Sequence, residues 1–246
     1  LLGTLEVAGQ RANVILANPA GITCNGCGFL NANRATLTTG RPQVGPDGSI
    51  GFDVASGTIL INGAGLNASN NHQANLGQVD LIARSLQMKA GVWADHLNVV
   101  AGLNRVNYGS DKVTDFNRWQ QPSVALDTAA LGGMYANSIR LIATGMGAGV
   151  NLSGHLAALT GDLKVSASGE VKIASSATLK AGGALDISTG ANFINMGAKL
   201  TAGGNLSVVT PSVLDNMRGT ISAGGDVSLH AKRLFNRGGA ITGESV

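Results

Sequence analysis

Gly161, Gly182, Gly203 and Gly224 lie 21 residues apart, in "TGDLKVSA", "AGGALDIS", "AGGNLSVV" and "AGGDVSLH". Each glycine turn is followed by an alternating apolar pair: Leu163/Val165, Leu185/Ile187, Leu206/Val208 and Val227/Leu229. Half a period later, "INMGAKL", "DNMRGTI" and "FNRGGAI" align Asn195, Asn216 and Asn236. Every period therefore holds at least two short strands of period two, separated by Gly or Asn turns. A unit of this length carries too little apolar surface to fold alone and must stack on copies of itself. With strands about 4.8 Å apart, the object that fits is an all-β chain, a single-stranded parallel β-helix with one turn per repeat. Equivalent residues then lie directly above one another, where like charges repel. The columns respect this: one reads Lys164, Asp186, Ser207, Ser228, and its neighbour Asp162, Ala184, Asn205, Asp226. The aligned asparagines read as a structural amide ladder at a turn.

Composition agrees with such a stack. Charged residues make up 13% of the chain, against roughly 25% in an average domain, and its 36 glycines are about twice the usual share. The formal charge of +3 is spread, with eight Lys and Arg before residue 124 and nine after, so no basic stripe forms. Aromatics for base stacking are scarce, which speaks against nucleic acid as a partner. No apolar run reaches the roughly 20 residues of a membrane-spanning helix. The opening "LLGTLEVAGQ" reads as the middle of a strand-rich domain whose beginning, with any export signal, is expected upstream.

Earlier segments follow the same grammar less regularly, in "GTILINGAGL", "GQVDLIARSLQMKAGVWADHLNVVAG" and "NSIRLIATGMGAGVNLSG". Between them, residues 104–136 break the period and hold Tyr108, Phe116, Trp119 and Tyr135. The break predicts a small extra-helical excursion that folds back as a strand pair or flap. Its aromatics either form a candidate ligand-binding surface or cover an apolar side of the stack.

Cys24-Asn25-Gly26-Cys27 admits three readings. As half of a zinc site it lacks a close histidine pair among His72, His96, His155 and His230, so no metal is expected. As a redox centre it lacks the helix that lowers a thiol pKa, since "RATLTTG" follows. A small disulfide-closed loop is favoured over both and requires an oxidising compartment.

The segments "ANPAGITCNGCGFLNANRATLTTGRPQ" and "GGMYANSIRLIATGMGAGV", residues 17–43 and 132–150, resemble the secretion domain of two-partner-secreted exoproteins: filamentous haemagglutinins, contact-dependent-inhibition toxins and related haemolysins of Gram-negative bacteria. The resemblance covers nearly the whole chain and implies a right-handed parallel β-helix. It implies a secretion domain over residues 1–154, lacking its own start, and haemagglutinin-type repeats of about 21 residues over 155–246. It further implies secretion to the medium or cell surface by way of the periplasm, and a cognate outer-membrane transporter of the Omp85 type as partner. The family's Asn-Pro-Asn-Gly-Ile motif maps onto Asn18, Pro19, Ala20, Gly21 and Ile22, with Ala20 in place of its second Asn. The family's upstream Asn-Pro-Asn-Leu motif is missing. Physically, Pro19 fixes φ and Gly21 permits a left-handed backbone, so residues 18–21 should form a tight turn. Transporter recognition and turn-shaping are both open for this motif.

Catalysis is not expected. The 14 acidic residues are dispersed, and the aligned columns hold no adjacent acidic pair of the kind a β-helix polysaccharide-active enzyme would need. "GMGAGV" at residues 145–150 has the wrong glycine spacing for a dinucleotide fingerprint, and no cofactor is implied. The first expectation is a monomeric export module that nucleates β-helix folding at the front of a large adhesin or toxin. The second is an adhesin module that binds a host or neighbouring-cell receptor or glycan.

Overall fold

Three short strands close each regular turn. In the computed structural model, which describes residues 1–67, 77–110, 112–116, 124–128 and 132–246, Leu163–Ala167, Val171–Ile173 and Thr178–Ala181 form one turn. Leu185–Thr189, Phe193–Asn195 and Lys199–Ala202 form the next. Pairing between turns is parallel, Leu163 to Leu185, Val171 to Phe193 and Thr178 to Lys199. No helix occurs among the described residues. One face of the resulting β-helix is a nine-stranded parallel sheet running from Ala12–Ala17 to Val227–His230. Seventeen strands make the other two faces, merged where Ile22–Leu30 and Thr58–Leu66 run around the corner between them.

Alternation selects what lies inside. Leu163, Leu185 and Leu206 are fully buried and stack in one column with Val227, while Leu156, Leu179, Leu200 and Ile221 stack in another. Each such side chain contributes about 1.5–3 kcal/mol on leaving water. The glycine corners are set by close approach of the backbone. A Cβ on Gly203 would lie 2.2 Å from the carbonyl oxygen of Gly182, and one on Gly224 would lie 2.4 Å from that of Gly203. The first interval departs from 21. Gly183, not Gly182, donates its N–H to the carbonyl of Gly161, at 2.9 Å, because residues 174–177 insert one more residue at a corner than the 196–198 segment above them.

The excursion is larger than the sequence suggested. Asn104–Asn107 and Val113–Asp115 pair antiparallel, as a folded-back strand pair would, but Asn104–Asn107 also pairs with Ile50–Val54, which pairs with Arg41–Val44. The result is a four-stranded antiparallel sheet outside the helix. Both insertions leave from the same corner of the stack, after the strands Ala32–Thr38 and His96–Gly102, with a single intervening turn through Gln78–Ala83. The chain therefore meets itself there. The hairpin at residues 45–49 carries its own turn chemistry: the N–H of Gly45 bonds the carbonyl of Ser49 at 2.8 Å, and Asp47 Oδ1 accepts from the N–H of Ser49 at 3.1 Å.

This sheet covers apolar residues on the outer side of the nine-stranded face. Phe52, Val54 and Val106 pack on Ile82 and Val100, with Ile15, Ile50, Tyr108 and Val113 at the margin. The strand Gln78–Ala83 is consequently buried on both faces beyond Gln78.

Candidate functional site: the 18–27 segment and its surroundings

Residues 18–21 form a tight turn joining Ala12–Ala17 to Ile22–Leu30. The N–H of Gly21 bonds the carbonyl of Asn18 at 3.0 Å, and Asn18 Oδ1 accepts from the N–H of Ala20 at 3.1 Å. Pro19 and Gly21 face the next turn of the stack. The Pro19 carbonyl accepts from the Ser56 hydroxyl at 3.1 Å. A Cβ on Gly21, whose φ is +126°, would lie 2.9 Å from the carbonyl oxygen of Thr58. Ile22 is buried at the head of its strand, whereas Asn18 is exposed. Beside the turn lies a groove of about 310 Å³ lined by Leu1, Leu16, Ala17, Asn18, Gly21, Ile22 and Thr23.

Cys24 and Cys27 are joined as a disulfide across a bulge in the same strand. Cys24 pairs with Ile61 and Asn25 with Asn62, but Cys27 pairs with Leu66, so Gly26 alone stands opposite residues 63–65. Both cysteines are buried, at 0% and 3% exposure.

The three described aromatics of this set, Tyr108, Phe116 and Tyr135, each have different partners. Tyr108 lies edge-on to Phe52, with the Arg34 guanidinium 4.1 Å from its ring centroid. Phe116 has Arg105 over its ring at 5.8 Å. Tyr135 is not in the excursion: it sits in the strand Met134–Ala136 of the stack, one turn above Trp93, with ring centroids 5.4 Å apart. Trp119 lies outside the described residues. The Trp93 partnership had a sequence signal, the paired "GVW" and "GMY". Gly91 and Gly133 leave room for the rings, since a Cβ on either would meet the aromatic side chain two residues on.

At the other end of the stack, Asn195 Nδ2 donates to Asn216 Oδ1 at 2.8 Å, and Asn216 Nδ2 to Asn236 Oδ1 at 2.7 Å. Asn195 and Asn216 also bond their own corners, through Ala198 and Gly219.

A polar cluster that sequence reasoning missed lies under the extra-helical sheet. Asp80, fully buried, accepts from Arg34 Nε at 2.5 Å, Thr36 Oγ1 at 2.6 Å, Gln78 Nε2 at 2.8 Å and Asn98 Nδ2 at 3.2 Å. Arg34 Nη1 also donates to the Tyr108 carbonyl at 2.9 Å, tying the sheet to the stack. On the outer side, Asp53 and Arg105 form a two-pronged pair at 2.5 and 2.7 Å. The Arg105 hydrogen bonds hold the Asp53 carboxyl below the usual carboxylate range, against a smaller opposing push from partial burial. Among the described residues no group of His, Cys, Asp and Glu could hold a metal ion.

A family profile for the TPS secretion domain matches residues 1–173, and one for the haemagglutinin repeat matches residues 158–210 and 201–246. The chain belongs to the two-partner secretion domain family. It is 47% identical over 171 residues to "Toxin CdiA" of Yersinia pestis, and 48% identical over 177 residues to a "tRNA nuclease CdiA" of Escherichia coli (strain STEC_O31). These alignments cover 69% and 72% of this chain but 5% of each relative. The crystal structure of a filamentous hemagglutinin secretion domain superposes with a TM-score of 0.60 at 29% identity, covering 98% of this chain and 70% of that one. The nuclease names belong to whole proteins of which this secretion domain matches a twentieth. The two-partner secretion domain itself is an export module rather than a catalyst, and its route leads through the outer membrane to the cell surface or medium.

Proposed function

We propose that the chain is the segment by which a large adhesin or toxin is recognised by a cognate Omp85-type outer-membrane transporter, with the 18–22 turn as part of the address. One observation carries this reading: within a single turn the structural and free groups are separated. Pro19 and Gly21 pack against the neighbouring turn, while the Asn18 side chain is exposed and bonds only the N–H of Ala20 in its own turn. A side chain with no part in stacking is available to a partner. We take the secretion domain proper as residues 1–154 and the regular repeats as 155–246. This division is supported by the extra-helical strands, all before residue 154 among the described residues, and by the start of the haemagglutinin-repeat match at residue 158, within the 1–173 match of the secretion-domain profile. The early strands, locked by the outer sheet, then serve as the template on which those repeats wind.

The test is Asn18→Ala, read by export yield in cells carrying the transporter and by the denaturant midpoint of the purified chain. The reading requires export to fall while the midpoint stays near wild type. Unchanged export removes Asn18 from the address, and a parallel loss of both makes the turn purely structural. A glycan or cell-surface partner is a second reading, supported by the half-exposed Trp93 and Tyr135 pair. A glycan-binding screen with Trp93→Ala tests it.

A further inference from the structure

The Cys24–Cys27 bond sits where no oxidant could reach it after folding. The sulfurs face the interior of the stack, at 0% and 3% exposure, with Cys24 Sγ 3.4 Å from the Gly65 carbonyl oxygen. The turn below closes over them through the strand Gly3–Glu6, whose Gly3 pairs with Cys27. The turn above closes through Thr58–Leu66, whose Ile61 and Leu66 pair with Cys24 and Cys27. Thiol–disulfide exchange needs the attacking thiolate to reach a sulfur of the oxidant directly. Both neighbouring turns must therefore be absent at that moment. The cysteines are three residues apart, with Cα atoms 5.4 Å apart, so a local bend at Asn25-Gly26 suffices to close the ring in a chain that has not begun to stack, and it adds no long loop to a polypeptide being threaded.

We propose that this disulfide is installed on the unfolded export intermediate, in the periplasm, before the chain crosses the outer membrane and winds. This rests on the export reading above. The reaction that must precede folding is two-electron oxidation by a protein disulfide carrier. The Cys24 or Cys27 thiolate attacks the carrier's disulfide, forming a mixed disulfide and releasing one carrier thiolate. The second cysteine thiolate then attacks the sulfur of the first, expelling the other carrier thiolate. The two thiol protons and two electrons leave with the reduced carrier, and the new S–S bond stays in the chain. After winding, the bond is sealed, and reductant should reach it only through unfolding.

The experiment traps the chain in cells that lack the transporter, quenches them in acid, and alkylates under denaturing conditions before mass spectrometry. The expected result is periplasmic chain in which Cys24 and Cys27 resist alkylation until reductant is added. Periplasmic chain with both thiols alkylated directly, beside secreted chain that is oxidised, would overturn the proposal. A different failure belongs to the export reading alone: chain reaching the medium without the transporter. A second measurement needs no variant. The purified folded chain should keep its bond when incubated with a phosphine reductant in native buffer and lose it when denaturant is added. Loss at equal rates in both would show that the bond is accessible in the folded stack, contrary to the proposal.

Discussion

Asn216 receives a hydrogen bond from Asn195 one turn below and donates one to Asn236 one turn above, at 2.8 and 2.7 Å. The Asn216 amide thus serves as acceptor on one side and donor on the other, while Asn195 Oδ1 accepts from the N–H of Ala198 in its own corner, an arrangement that satisfies the buried polar groups of the column. Asn216 is fully buried and occupied on both sides, while Asn236 is exposed and bonded on one. Asn216→Ala should destabilise more than Asn236→Ala, by about 1 kcal/mol, the usual size of a net hydrogen-bond contribution. Urea midpoints of the two variants read this directly, and equal midpoints would count against the ladder as a stabilising element.

Adjacent glycines at one corner should respond differently to the same methyl group. A Cβ on Gly203 would collide with the Gly182 carbonyl oxygen at 2.2 Å, whereas a Cβ on Gly204 meets nothing closer than 3.5 Å. Gly203→Ala is expected to cost about 1–3 kcal/mol from forced separation of the turns. Gly204→Ala should lie near wild type, and thermal melts of the pair check the contrast.

Removing the charge of Asp80 strands its partners. Arg34, Thr36, Gln78 and Asn98 all donate to this buried carboxylate, and Arg34 is only 15% exposed. Asp80→Asn should destabilise by about 3–5 kcal/mol, the scale for breaking a buried ion pair from one side. The same variant should loosen the outer sheet first, since Arg34 also holds the Tyr108 carbonyl. Hydrogen exchange should show early loss of protection in Ile50–Val54 and Asn104–Asn107.

Acid should weaken the outer sheet through Asp53. Its pKa is depressed in the folded protein by Arg105, so the pair's contribution is present above the ordinary carboxylate value near 3.9 and is lost as pH falls through the lower, folded value. Stability of wild type and Asp53→Asn, compared across this acid range, should differ at neutral pH and converge at the bottom. The pair is solvent-exposed, so added salt should shrink the difference.

The sequence by itself determined the stack. A near-constant interval of about 21 residues places Leu185 on Leu163, Leu206 on Leu185 and Asn216 on Asn195, because a β-helix turns constant spacing along the chain into direct contact. The turn at residues 18–21 was legible for a similar reason, since its Asn, Pro and Gly act locally. What only the tertiary structure decided lies where insertions make the interval irregular. Thr36, Asp80, Asn98 and Arg140 occupy one column although successive members are 44, 18 and 42 residues apart. No fixed period aligns them. Likewise, Arg41–Val44 and Ile50–Val54 pair as a hairpin through their own turn, which sequence reasoning did not single out, and nothing local says that they will meet Asn104–Asn107. That meeting follows from two insertions leaving the same corner two turns apart, which brings two hairpins within hydrogen-bonding distance and gives the apolar patch at Ile82 and Val100 its cover. Local chemistry and period fix neighbours at a constant offset, and the remainder is fixed by winding, which sets the offset anew at every insertion.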